Sequence, residues 1–385
     1  MIYLDHNATS PLRPEARAAM LAAWEAGGNP SSVHAAGRKA RATVEGARET
    51  VARLVGAAAD DVVFTSGGTE AIWLALAGAI AGALENDARI NRLFISAIEH
   101  DAVRSNAAAA AARVAGLRAE TIPVTGDGVV NLDALRTALR EGKGRALVAV
   151  MVANNENGVI QPIGEVAILA QKSGALLLAD AVQAAGKIEI GDLASYADYI
   201  SLSAHKLGGP QGVGALIAKG GAPFAAQVLG GGQEKRRRAG TENVAGIAGF
   251  GAAASAADAH RDEARLSKLR DDFEHALRKA VPEVAIFGAN ARRLPNTSNF
   301  ALPGTAAETA VMALDLEGVM VSAGAACASG KVARSHVLEA MGVSDEIARA
   351  VLRVSFGWNS TDADGAAASA ALDKIEARAR ARAAA

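Results

Sequence analysis

Four short stretches carry side chains whose types and spacing could do chemistry. In YISLSAHKLGGPQG, Lys206 stands just past an apolar run that ends at Ser203, with His205 beside it and glycines after it. A lysine at a buried strand end can face a cleft, because α/β sheets bind ligands beyond the C-terminal ends of their strands. Poor solvation there favours the neutral amine, which can form a Schiff base with an aldehyde; the competing reading is a surface lysine. ALLLADAVQ ends a wholly apolar run on Asp180. Such a carboxylate needs a partner, either a pyridinium nitrogen or the N–H groups of a following helix, and Gln183 follows one turn later. VVFTSGGTEA runs from a strand through a Gly-Gly turn into a helix opening at Thr69. Free N–H groups and the helix dipole there can cradle a phosphate, although the GxxxxGK[ST] pattern of a nucleotide P-loop is missing. VSAGAACASGK holds Cys327, the only cysteine of the chain, among small residues. By itself it reads either as a small buried hydrophobe or as a reactive thiol on a pliable loop.

Each signal is ambiguous singly. Together they supply a phosphate site, a partner for a pyridine nitrogen and an aldehyde-capturing amine, each at a strand end of one α/β unit. That combination points to pyridoxal 5′-phosphate. The remaining histidines, His6, His34, His260, His275 and His336, show no metal-ligand spacing and are read as structural, so no metal site is expected.

The elements that must position these groups are legible as a pattern. VVFT (62–65), RLFIS (92–96), ALVAVMV (146–152), ALLLAD (175–180), YISLS (199–203) and GALIA (214–218) read as strands buried on both faces. Amphipathic stretches lie between them. Val44, Ala47, Val51 and Leu54 share a helical face before Gly56, and Leu132, Leu135 and Leu139 repeat that spacing after the N-cap Asn131. The alternation predicts a mainly parallel sheet flanked by helices. Near residue 260 the pattern changes: Leu266, Leu269, Phe273 and Leu277 mark a helix that Pro282 follows, and mixed short elements come after it. The expected division is a large domain over 13–260 and a smaller α+β domain from 1–12 and 261–385, closed by an Ala/Arg-rich helix. The net charge of −1 gives no reason to expect nucleic acid or an anionic membrane. The start MIYLDHNATS lacks a basic leader, and the uncharged run 71–84 suits a buried helix better than a membrane span. A single cysteine fits a reducing compartment, so a cytoplasmic location is expected.

Beyond these patterns, the chain resembles the cysteine desulfurases of the NifS/IscS type, in the class V aminotransferase group of PLP fold type I enzymes. The resemblance rests on YLDHNAT, GNPSSVHAAGRKAR (28–41), FTSGGTEA (64–71), EHDAV (99–103), NNENGVIQPI (154–163), DAVQAAGK (180–187), SAHK (203–206), GGGQEKRRRAGTEN (230–243), SAGAACASGK (322–331) and LRVSFG (352–357). It implies that Lys206 is the Schiff-base lysine, Asp180 the pyridinium partner and Gln183 a contact of the ring hydroxyl. It implies that His100 stacks on the ring and relays protons, and that Gly68, Thr69, Ser203 and His205 hold the phosphate. Thr241 would reach the phosphate of the other subunit, which implies a homodimer. Asn155, beside the cofactor, and Arg353 would bind the substrate carboxylate. Cys327 matches the cysteine that takes sulfur from L-cysteine as a persulfide, leaving alanine, and passes it to an acceptor or iron–sulfur scaffold protein.

Several positions depart from the pattern. Ile72 and Trp73 stand where relatives usually have Asp or Asn followed by Asn, Lys235 and Arg236 where they often have arginine and glycine, and Trp358 where arginine is common. The KRRR run reads as a solvated face or a contact for an acidic protein. Two other functions compete: a related pyridoxal-phosphate lyase or aminotransferase, for instance one preferring selenocysteine, and a non-catalytic sulfur-transfer scaffold, for which Ile72 and Trp73 would mark lost activity.

Overall fold

The computed structural model describes residues 1–324 and 334–383, with side chains as far as residue 377. The apolar runs assemble into a seven-stranded sheet. Its spatial order is Val62–Thr65, Gly214–Ala218, Tyr199–Ser203, Leu176–Asp180, Arg145–Met151, Ile90–Ser96 and Arg118–Ile122. Gly214–Ala218 runs antiparallel to both its neighbours, and the other neighbouring pairs are parallel. Two reversals cancel. Val62–Thr65 therefore points the same way as Tyr199–Ser203 and Leu176–Asp180, and Thr65, Asp180 and Ser203 end on one edge of the sheet. Arg118–Ile122 is the strand that the sequence pattern does not predict. Its residues RAETI are exposed except Ile122, and an edge strand need not carry an apolar run.

Helices cover both faces of the sheet. Ala35–Arg53 buries Val44, Ala47 and Val51, and Gly56 follows with φ of 68°. Asn131 caps Leu132–Glu141, its Oδ1 accepting from Ala134 N at 3.0 Å. The uncharged run 71–84 lies within Gly68–Glu85, which is buried along most of its length.

A separate apolar core forms where the helix Ala259–Ala280 packs its Leu266, Leu269, Phe273 and Leu277 against Leu4, Phe300 and Phe356. Phe273 stands 5.7 Å from Phe300 and 6.1 Å from Phe356, ring to ring. The sheet above it has the order Ser322–Ala323, Val351–Ser355, Thr297–Ala301, Ala285–Ile286, with every neighbouring pair antiparallel. The chain's first residues join this part. Ile2–Tyr3 pairs in parallel with Val319–Met320, Leu4 is fully buried, and Asp5 bridges to Ser355. The next residues turn toward the edge of the large sheet. Among the described residues no helix is long and apolar enough to cross a membrane.

The KRRR run is not a bare basic face. Lys235 pairs with Asp60, Arg237 donates to the Asp60 and Asp61 carbonyls, and Arg238 pairs with Glu70 at 2.9 Å. Just before it, Glu234 and Arg48 form a buried ion pair at 2.7 Å. Glu234 also accepts from Phe64 N and Arg48 donates to Val62 O, so the pair satisfies the open edge of Val62–Thr65. Glu234, Lys235 and Arg236 all take left-handed φ values, of 46°, 55° and 65°. Glycine would suit that conformation at position 236 better than arginine does.

Candidate active site

A cavity of about 320 Å³ opens at the edge where the strands end. Ten of the sequence-expected residues line it: Gly68, Thr69, His100, Asn155, Asp180, Gln183, Ser203, His205, Lys206 and Arg353. Thr241 does not line it and is exposed. Cys327 lies outside the described residues.

Each element delivers its group for a local reason. Tyr199–Ser203 runs directly into the 3-10 turn Ala204–Lys206, which sets Lys206 at the strand end. Gly208 follows with φ of 89°, and a Cβ there would meet Arg13 Cγ at 2.6 Å; glycine is required on both counts. Lys206 Nζ donates to the main-chain oxygens of Asn7 at 2.6 Å and Ala8 at 2.8 Å. Asp180 ends its strand buried, and Oδ1 accepts from Ser201 Oγ at 2.7 Å and Val182 N at 3.1 Å. Both bonds fall on one oxygen, which leaves Oδ2 to accept from a cationic N–H in the cavity. No helix follows Asp180 for it to cap: residues 182–187 form turns, and the N–H it holds, that of Val182, belongs to them.

His100 caps Asp101–Arg113, its Nδ1 accepting from Ala102 N at 3.0 Å. That bond places the proton of the neutral ring on Nε2. His205 Nδ1 lies 3.1 Å from Thr9 Oγ1. Burial, helped by Lys206 and Lys187, pushes its pKa down to about 4, so the ring is neutral at physiological pH. The helix Gly68–Glu85 presents its first N–H groups at the cavity, where a helix N-terminus suits an anion. A Cβ on Gly68 would meet Val182 Cγ2 at 2.9 Å, so this close approach needs glycine.

Arg353 is almost fully buried in Val351–Ser355. It donates to Asn155 O at 3.0 Å and pairs with Asp5 Oδ1 at 2.6 Å, while its Nε finds no partner among the described residues. The sequence reading did not anticipate Asp5 as a partner. Gln183 is also more engaged than expected. Its Nε2 donates to Asn7 O at 2.9 Å and its Oε1 accepts from Lys187 Nζ at 2.7 Å.

Asn7 and Lys187 are the residues the sequence reading passed over, although both stand inside quoted stretches. The available signals were the polar run Asp5–His6–Asn7 straight after apolar Ile2, Tyr3 and Leu4, and a lysine four residues after Gln183. Ile72, 2% exposed, forms an apolar wall of the cavity with Ala102, Met151 and Ala153. Trp73 packs on the same core rather than on the cavity. Trp358 also stands off the cavity. Its Nε1 donates to Pro11 O at 2.9 Å and the Arg13 guanidinium lies over its ring at 5.3 Å. Among the described residues no three His, Cys, Asp or Glu side chains cluster as metal ligands.

The donor set matches pyridoxal phosphate: helix N–H groups for a phosphate, a carboxylate oxygen for a pyridinium, and an amine at a strand end for an aldehyde. Comparison with known proteins bears on this geometry directly. The aminotransferase class-V family model matches residues 2–365. The chain belongs to that family. It is 43% identical to a cysteine desulfurase of Cereibacter sphaeroides over 94% of this chain and 92% of the relative. It is 39% identical to an IscS-like cysteine desulfurase of Mycobacterium tuberculosis over 99% and 97%. Among solved structures, a NifS-like protein from Rickettsia africae superposes with a TM-score of 0.87 at 34% identity, covering 97% of this chain and 99% of that one. The fold is therefore that of the NifS-like members of PLP fold type I.

Proposed function

We propose that this protein is a cysteine desulfurase that binds pyridoxal 5′-phosphate, converts L-cysteine to L-alanine and passes the sulfur to an acceptor protein. The observation that carries the reading is the convergence of Lys206, Asp180 and the Gly68 helix end on one cavity, in a chain so similar to cysteine desulfurases. When bound, the cofactor supplies an electron sink that labilises the bonds around the substrate Cα.

The chain's own residues supply the rest. Gly68 and Thr69 N–H groups, with Ser203 and His205, hold the phosphate. Asp180 Oδ2 would accept from the ring nitrogen, and Gln183, which lines the same cavity, would contact the ring oxygen. Lys206 would hold the cofactor's aldehyde carbon through its amine and would take the substrate Cα proton. His100, with its proton on Nε2, would lie against the ring and would return a proton. Arg353 and Asn155 bind the substrate carboxylate, and a guanidinium already oriented by Asp5 and the Asn155 carbonyl is ready for that partner. The Cys327 thiolate attacks the substrate sulfur. A new S–S bond forms as the Cβ–S bond breaks, and the carbon fragment leaves as alanine once protonated.

The division into a large domain over 13–260 and a small one from 1–12 and 261–385 belongs to the same proposal, supported by the separate core around Phe273. So does a homodimer in which exposed Thr241 reaches the partner's phosphate. A cytoplasmic role in iron–sulfur cluster assembly or other thio-cofactor synthesis completes it. Ile72 is buried and Trp73 packs on the same apolar core, and the cavity beside them still gathers Thr69, Asp180 and Lys206, which favours an active enzyme over a scaffold.

Purified protein supplied with pyridoxal phosphate and L-cysteine should release alanine and carry one added sulfur atom on the peptide containing Cys327. Cys327→Ser should bind cofactor and lose both products. Normal alanine release from that variant, or pyruvate and free sulfide from the wild type, would replace the reading with a lyase.

A further inference from the structure

We propose that Asn7 is the positioning residue of the site, fixing the amine of Lys206 for its attack through two main-chain oxygens that the Asn7 side chain holds in place. The inference deepens the cofactor reading above and rests on it.

Lys206 Nζ donates to Asn7 O and Ala8 O at 2.6 and 2.8 Å. Two acceptors on adjacent residues fix two N–H directions of an amine, and so the axis along which it meets a carbonyl carbon. Orientation of this kind accounts for a large share of rate in bound reactions. A carbonyl can direct an amine only if it is itself held, and every polar group of Asn7 is. Its N–H donates to Ser355 Oγ at 3.0 Å. Its Nδ2 donates to Thr297 Oγ1 at 2.9 Å and Asn155 O at 3.2 Å. Its Oδ1 accepts from Lys187 Nζ at 2.8 Å and Asn296 Nδ2 at 3.1 Å.

Lys187 closes the network. It is buried, and its two hydrogen bonds go to Asn7 Oδ1 and to Gln183 Oε1, the latter at 2.7 Å. A neutral amine has two N–H donors, and burial, with Lys206 next in effect, drives Lys187 well below the ordinary lysine range. Gln183 returns to Asn7 O through Nε2 at 2.9 Å. The network thus ties the carbonyl seat of Lys206 to both sheets, through Gln183 and Lys187 after Leu176–Asp180 and through Thr297 and Ser355 of the antiparallel sheet. None of these contacts needs cofactor or substrate.

The test is covalent capture by the apoprotein, read without turnover. Apoprotein is mixed with pyridoxal phosphate and quenched with borohydride at timed intervals. Mass spectrometry then follows label on the peptide containing Lys206, and pyridoxamine phosphate, which has no aldehyde, reports non-covalent binding. Asn7→Ala should slow capture at least tenfold and Lys187→Met severalfold, with pyridoxamine phosphate affinity within twofold of wild type in both. The double variant should be no slower than Asn7→Ala, because both changes release the same carbonyls. Capture at the wild-type rate by folded Asn7→Ala overturns the inference, as does an equal loss of both ligands, which would mean general damage. If Asn7→Ala does not fold, Lys187→Met decides, and capture within twofold of wild type overturns it. Wild-type protein that never labels at Lys206 would instead sink the cofactor reading itself.

Discussion

Glu99 lies wholly buried one residue before His100, with Oε1 accepting from Met151 N at 2.7 Å. Burial, reinforced by the nearby charge of Asp180, holds its carboxyl well above the usual range. The folded protein therefore binds a proton that the unfolded chain has already lost above the ordinary glutamate pKa, and stability from this group falls as pH rises out of that range. Glu99→Gln keeps the shape and removes the titration. Its melting temperature should exceed that of wild type at neutral pH, with the gap closing as pH approaches 4; a gap independent of pH would show that Glu99 is not the titrating group. Residues like this explain what sequence could and could not disclose. Lys206 and Asp180 were legible because each ends an apolar run, a local signal. Glu99, Asn7 and Lys187 draw their roles from partners distant in the chain, such as the contact between Asn7 and Lys206, and no local spacing encodes those.

At the scale of elements, the segment following Gly230 stands out. Three consecutive non-glycine residues in left-handed conformation are held by the buried Arg48–Glu234 pair and by contacts to Asp60. From the sequence, the basic run reads as a solvated face or a contact for an acidic protein. Lys235 and Arg236 are exposed, as a solvated face requires, while half-buried Arg237 and Arg238 turn to backbone carbonyls and to Glu70. Arg236 makes the strain testable, since its φ of 65° suits glycine. Arg236→Gly should raise unfolding free energy by about 0.5–1 kcal/mol, read as a higher denaturant midpoint with unchanged slope. A lower midpoint would show that the arginine side chain contributes more than its backbone costs.

At the scale of the molecule, the large sheet was readable because strands buried on both faces are continuous apolar runs. The antiparallel sheet was only sketched. TSNFA and VLRVS carry buried Ser298, Asn299 and Arg353, which break the apolar pattern. The pairing of Ile2–Tyr3 with Val319–Met320 joins residues more than 300 apart and leaves no trace in either segment. Leu4, fully buried beside that pairing, anchors the opening segment in the Phe273 core. Leu4→Ala should cost about 2–5 kcal/mol and slow Lys206 capture together with it, because Asn7 lies three residues on. A variant unfolding at the wild-type denaturant concentration would show that the segment contributes nothing to holding the molecule together.

The seat of Lys206 is made of peptide carbonyls, and every amino acid brings one. The codon for Ala8 can therefore drift without removing either acceptor, whereas lesions in residues that never approach the substrate can misaim it. In a genetic screen such lesions would leave a protein that is abundant and folded yet slow to load its cofactor.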